Sequence, residues 1–200
     1  MYRVYGDYES GNCYKIKLLA SHLELPLDWV HTDILRGDTR TPAFLAKNPN
    51  GKIPLLELPT GERLAESNAI LYYLADGTEF LPADRYTRAL VLQWQSFEQY
   101  SHEPYIAVAR FIEKYLGLPA DRHAEYEAKR AGGYRALGVM EQQLGVSRYF
   151  VGHAPTIADV SLYAYTHVAH EGGFSLQEFP NVRRWLDDVS ALPRHVAMDG

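Results

Sequence analysis

The sequence predicts two domains of different class. An α/β domain of βαβαββα order spans residues 1–76, a linker spans 77–86, and an all-α helical bundle spans 87–200. Two observations carry this reading. The stretch from Gly51 to Ala75 runs as strand, turn, strand and helix in direct succession. At Asp76-Gly-Thr-Glu-Phe-Leu-Pro82 turn formers dominate, and beyond them no strand-like run of any strength follows while helical spacing recurs.

In chain order, Tyr2 to Gly6 reads as the first strand. Gly11-Asn12 reads as a loop, and Tyr14 to Leu23 carries helical periodicity through Ile16, Leu18, Leu19 and Leu23. Leu27 to Thr32 is the second strand, and the polar residues 33–40, with Gly37, form a loop. Thr41-Pro42 opens a short helix ending near Asn48, since proline suits a first helical turn. Asn48-Pro-Asn-Gly51 is a turn cluster. Strands at Leu55–Glu57 and Glu62–Leu64 flank the turn Pro59-Thr-Gly61. Glu66-Ser67-Asn68 then opens a helix whose Ile70, Leu71 and Leu74 recur at helical spacing. Further helices are expected over residues 87–115, 121–144, 156–169 and 180–191, with Pro104 kinking the first of them. Thr156-Ile-Ala-Asp159 has the hydroxyl-x-x-acid spacing of a capping box, a folding role rather than a chemical one.

Composition narrows the function classes. The chain has 200 residues, 46% hydrophobic and 22% charged, which is enough for a real core. A net charge of -5 points to neither a nucleic-acid nor an anionic-membrane partner. No stretch approaches the ~18 apolar residues of a membrane span. The start Met-Tyr-Arg-Val-Tyr-Gly lacks the apolar core of a signal peptide. The single Cys13 excludes an internal disulfide, so a cytoplasmic protein is expected. His167 and His170 lack a supporting third ligand, so no metal site is expected.

The segment Gly51–Ala75, with Lys52-Ile53-Pro54 before its first strand and Glu66-Ser67 at its helix start, resembles the glutathione-binding half of the glutathione transferase family. The order of elements matches along nearly the whole chain, and Thr156-Ile-Ala-Asp159 has its counterpart at the start of a core helix there. The resemblance implies a thioredoxin-like first domain, glutathione as co-substrate, a hydrophobic small-molecule electrophile and a homodimer.

A helix start presents unpaired N–H groups and partial positive charge, so it suits an anion. Ser67 could bind a carboxylate there and Glu66 an amino group, which together match the zwitterionic end of a γ-glutamyl group. A plain helix cap would explain the dipeptide alone; Lys52-Ile53-Pro54 at the family's spacing argues for the site. By itself an Ile-Pro bond is expected to be trans, since X-Pro bonds are cis in only ~5–6% of cases. The resemblance implies cis, with the Ile53 backbone ahead of Pro54 meeting the cysteinyl part of glutathione. It places Lys52 at the glycyl carboxylate and the loop carrying Arg36 and Arg40 toward the same end, where solvated charges are the plain alternative.

The loop Ser10-Gly-Asn-Cys13 joins the first strand to the first helix, where the family activates the glutathione sulfur. Ser10 falls on the serine of the serine-type classes and on the threonine of the bacterial Thr/Asn class, with Asn12 on its asparagine. A free thiol titrates near pH 8.5; a hydroxyl or amide donor beside a helix start lowers that value. Ser10 is expected to be the main donor, with Asn12 assisting, although either could simply cap the helix. Cys13 is the rival nucleophile. Tyr8, Tyr105 and Arg110 are expected at the electrophile pocket. The expected activity is conjugation of glutathione to small electrophiles. The alternatives are glutathione-dependent disulfide or peroxide reduction, and a non-catalytic interaction module.

Overall fold

Strand β1 (Tyr2–Gly6) lies inside a four-stranded sheet of order β2–β1–β3–β4, with β2 at Leu27–His31, β3 at Leu55–Glu57 and β4 at Arg63–Ala65. The structure is a computed structural model and describes residues 1–198. β1 pairs parallel with β2, setting Val4 opposite Trp29, and antiparallel with β3, setting Val4 opposite Leu56. A parallel pair needs a crossover, and helix α1 (Gly11–His22) supplies it. β3 and β4 form an antiparallel hairpin with Leu56 opposite Leu64. Short α2 (Pro42–Leu45) and α3 (Ser67–Ala75) complete the βαβαββα order. Val4, Ile16, Leu56, Ile70 and Leu71 are fully buried and form the core of this part.

The structure moves several of the expected boundaries, including the second strand of the hairpin, which is Arg63–Ala65 rather than Glu62–Leu64, and two of the shifts have a visible cause. α1 starts at Gly11 rather than Tyr14, because Ser10 caps it: the Cys13 N–H donates to Ser10 Oγ at 3.4 Å. Gly11 and Asn12 are therefore its first turn, not loop. α2 stops at Leu45 because Asn48 organises the turn that follows. Its Oδ1 accepts from the Asn50 N–H at 3.1 Å and its Nδ2 donates to the Lys52 carbonyl at 2.8 Å.

The helical part consists of α4 (Arg85–Phe97), α5 (Glu103–Arg110), α6 (His123–Val146), α7 (Ile157–Thr166) and α8 (Pro180–Ser190). π-helical turns at Glu98–His102 and Phe111–Tyr115 flank α5. Pro104 is its second residue, just after the wider turn, where its missing N–H interrupts the least of the ladder. The full capping box forms at Thr156 and Asp159 ahead of α7.

The chain forms two units, Gly77–Leu192 and a first unit that joins Met1–Asp76 to the segment after Leu192. Residues 77–84 thus pack with the helices instead of forming a free linker: Phe80 is buried and its carbonyl accepts from Ile157 at 3.0 Å. Pro193 to Met198, assigned by sequence to the helical domain, pack on α1 of the first unit. The last two residues of that assigned span, 199–200, lie outside the described residues. The cause is a row of backbone carbonyls facing α1 donors. Ser21 Oγ donates to the Arg194 carbonyl at 2.7 Å, the Tyr14 hydroxyl to Val196 at 2.8 Å, and Lys17 Nζ to Ala197 at 3.1 Å. His22 Nδ1 donates to the Pro193 carbonyl at 2.8 Å.

Burial holds His22 and His195 below the ordinary histidine value, and the charge of His22 adds to this at His195. Folded values below the ~6.5 of an unfolded histidine mean that their contribution is complete above about pH 6.5 and is lost as the pH falls below it. Protection of residues 193–198 from limited proteolysis is therefore expected to drop when the pH goes from about 7 to about 5. Protection independent of pH would show that the histidines play no part.

Candidate functional site

Two helix starts in the first unit share one polar cluster. Asn12 and Lys15 of α1 supply one side, and Ser67, the first residue of α3, supplies the other. Ser67 Oγ donates to Asn12 Oδ1 at 3.1 Å. Lys15 Nζ donates to the same Oδ1 at 2.8 Å and lies 3.3 Å from Ser67 Oγ. Lys15 is fully buried. The structure thus brings Asn12 and Ser67 together from 55 residues apart, and it adds Lys15, which the sequence reading did not single out. One signal was available: Lys15 sits three residues after Asn12, on the same face of α1.

Ser67 is buried and does not act as the N-cap of α3. Glu66 holds that position without a side-chain cap bond, at φ 68 and ψ 114, and is exposed. A non-glycine residue held in such a region costs on the order of 1–3 kcal/mol and clusters at ligand-binding positions. Glu66 is thus set beside the start of α3 without being used to cap it.

A second group lies along the turn before β3. Gly51 has φ 62, and a Cβ there would meet Arg40 Nη1 at 2.6 Å and the Thr39 carbonyl at 3.1 Å. The Arg40 guanidinium therefore lies against the residue preceding Lys52, and both cations are exposed. The Ile53-Pro54 bond is cis, against the trans expectation from sequence alone and in line with the resemblance. Tight turns are where cis prolines occur, and the Asn48 side chain closes this one onto the Lys52 carbonyl. Pro54 is buried and Ile53 half-buried.

Tyr8 is exposed and stacks on Trp29 and His31, with ring centroids 5.5 and 5.2 Å away. Cys13 is fully buried, and burial pushes its thiol up to about 12, outweighing the Ser10 hydrogen bond. Burial and the raised value both disfavour its thiolate at neutral pH. Arg110, expected at the electrophile pocket, is instead only 2% exposed. Its Nε donates to Glu171 at 2.5 Å, and Lys114 binds the other oxygen of that carboxylate at 2.8 Å. Desolvation favours such internal pairing of a guanidinium, so Arg110 serves the helical unit's own packing. The Tyr105 ring lies on the backbone of Gly132, where any Cβ would collide with it. With Phe97, Tyr100 and Arg135 it lines a cleft of about 270 Å³ within the helical unit. Among the described residues, no group of three or more His, Cys, Asp or Glu side chains is placed to hold a metal ion, and no helix is long and apolar enough to cross a membrane.

Residues 9–76 match the family model described as "Glutathione S-transferase, N-terminal domain", and residues 92–193 match "Glutathione S-transferase, C-terminal domain". The structure is similar to that of a glutathione S-transferase from Pseudomonas fluorescens, with 61% identity, 98% of each chain covered and a TM-score of 0.97. It is similar to one from Xanthobacter autotrophicus at 43% identity, covering 99% of this chain and 97% of the other, with a TM-score of 0.95. A glutathione transferase of Burkholderia graminis, with two glutathione molecules bound per subunit, is 29% identical, with 96% and 85% of the chains covered and a TM-score of 0.84.

Proposed function

We infer, since this chain belongs to the glutathione S-transferase family through both of its domains, that it binds glutathione on the first unit and transfers the sulfur to a small electrophile. The observation that carries this reading is the shared cluster of the two helix starts, with Asn12 and Ser67 joined at 3.1 Å. Ser67 and the α3 start take the γ-glutamyl carboxylate, and exposed Glu66 takes the amino group. The cis Ile53-Pro54 turn offers backbone groups to the cysteinyl part. Arg40 and Lys52 take the glycyl carboxylate.

Ser10 Oγ already accepts the Cys13 N–H, so its own proton is the one to donate to the sulfur. Asn12 assists from the first turn of α1. The thiol proton leaves to solvent, the thiolate forms the new carbon–sulfur bond, and the leaving group departs with its electron pair. Tyr8 and Tyr105 are assigned to the electrophile side, in a cytoplasmic homodimer.

A second reading, glutathione-dependent disulfide or peroxide reduction, draws on Asn12 beside a hydroxyl. The Burkholderia graminis protein adds support, since it holds two glutathione molecules per subunit, and net reduction of one disulfide or peroxide consumes two. Aryl-halide and peroxide assays separate the two activities, and passage through a glutathione-affinity column without retention would favour a non-catalytic module.

Ser67→Ala is expected to weaken glutathione binding about tenfold or more by calorimetry, the loss of a charge-assisted hydrogen bond. The stability cost should stay near ~1 kcal/mol, as for an ordinary hydrogen bond. An unchanged Kd would place the γ-glutamyl anchor elsewhere.

A further inference from the structure

Lysine is almost never fully buried unless it is paired, and moving an ammonium out of water costs several kcal/mol unless new bonds replace its hydration. Lys15 is fully buried one turn into α1. It reaches Asn12 Oδ1 on its own helix at 2.8 Å and Ser67 Oγ on α3 at 3.3 Å. We propose that Lys15 is the positioning residue of this site: its ammonium fixes the Asn12 amide and the Ser67 hydroxyl together, so that one cluster holds the sulfur end and the γ-glutamyl end of glutathione. The proposal rests on the reading of the first unit as a glutathione site.

The donor inventory drives the argument. An ammonium has donors only, so it must face the oxygen of the Asn12 amide, and the amide's two orientations are not equivalent here. With Oδ1 turned to Lys15, the Nδ2 edge is turned away from it and carries only donors, which is the polarity a thiolate requires. The same logic orders Ser67. Its Oγ accepts from Lys15, so its proton is left to give: it goes to Asn12 Oδ1 here, and to the γ-glutamyl carboxylate when glutathione binds. A buried positive charge beneath both groups also favours the two negative centres of the ligand, because screening is weak where water is excluded.

The test uses the full chain with glutathione as the probe. Lys15→Met keeps the length and suits the buried position while removing the charge and all donors. It is expected to raise the pKa of bound glutathione, followed by thiolate absorbance against pH, by about one unit. Lys15→Arg should restore most of that shift. In an Asn12→Ala background the same Lys15→Met change should lose more than half of its effect, since coupled residues are non-additive. A shift undiminished in that background, or no shift in the wild-type background, overturns the proposal. If Lys15→Met does not fold, Lys15→Gln carries the same comparisons. Wild-type protein that fails to bind glutathione overturns the glutathione reading and this proposal with it. Binding with an unmoved thiol pKa overturns this proposal alone.

Discussion

Asp159→Ala is expected to cost at least ~3 kcal/mol of stability, since it leaves several buried donors without an acceptor at ~1–3 kcal/mol each. The carboxylate is 1% exposed and accepts four hydrogen bonds. They come from the Thr156 N–H at 2.9 Å, the Thr156 hydroxyl at 3.1 Å, the Phe150 N–H at 3.1 Å and the Trp185 indole at 3.0 Å. It thus ties the start of α7 to the preceding loop and to the buried face of α8. For a protein of this size the melting temperature should fall by about 6–12 °C. Burial pushes the Asp159 carboxyl up to about 6, so it is still ionised at neutral pH and accepts on both oxygens. Asp159→Asn should therefore recover little, because one of the two acceptors becomes a donor facing donors. A loss below about 1 kcal/mol in a denaturant titration would mean that the four donors find other partners.

Ser10→Ala is expected to lower kcat for an aryl halide by about a hundredfold, the scale of losing one donor to a developing anion. The pKa of bound glutathione should rise by roughly 1–2 units, with its Kd changed by less than about threefold, because the hydroxyl acts on the sulfur while Glu66 and Ser67 hold the rest. The helix itself should suffer little: the cap bond to Cys13 is long, at 3.4 Å, and a cap loss starts from about 0.5 kcal/mol. Asn12→Ala should give the smaller shift. The opposite order would make Asn12 the principal donor and favour the thiol–disulfide reading. Turnover of Cys13→Ala is expected to stay within about tenfold of wild type, because a buried thiol at about 12 holds little thiolate at neutral pH.

Much of this architecture was legible because its signals are local. The hairpin of Leu55–Glu57 with a strand near Leu64, the helix opening at Ser67, and the capping box at Thr156 each follow from neighbours within a few residues. What stayed hidden depends on distant packing. Tyr14-Lys15-Ile16 reads as an ordinary amphipathic stretch, and only the seating of α3 against α1 buries the lysine. Arg110 looks like a surface cation until Glu171, 61 residues on, closes on it. The segment from Pro193 to Met198 escaped for a different reason. It binds through backbone carbonyls, which every residue has, so no side-chain pattern marks it. The start of α1 at Gly11 follows from the Ser10 cap, whereas the apolar periodicity that marks the helix begins only at Tyr14.

The return of residues 193–198 to α1 has a consequence for biosynthesis. A ribosome delivers β1, α1 and the rest of Met1–Asp76 first, but the donors on Tyr14, Lys17, Ser21 and His22 must wait for carbonyls translated after the whole of Gly77–Leu192. The unit begun earliest is completed only after the other has been made. During that interval the outer side of α1 is open to any nascent strand or chaperone that offers backbone acceptors, and a fragment ending at Asp76 would carry this gap permanently.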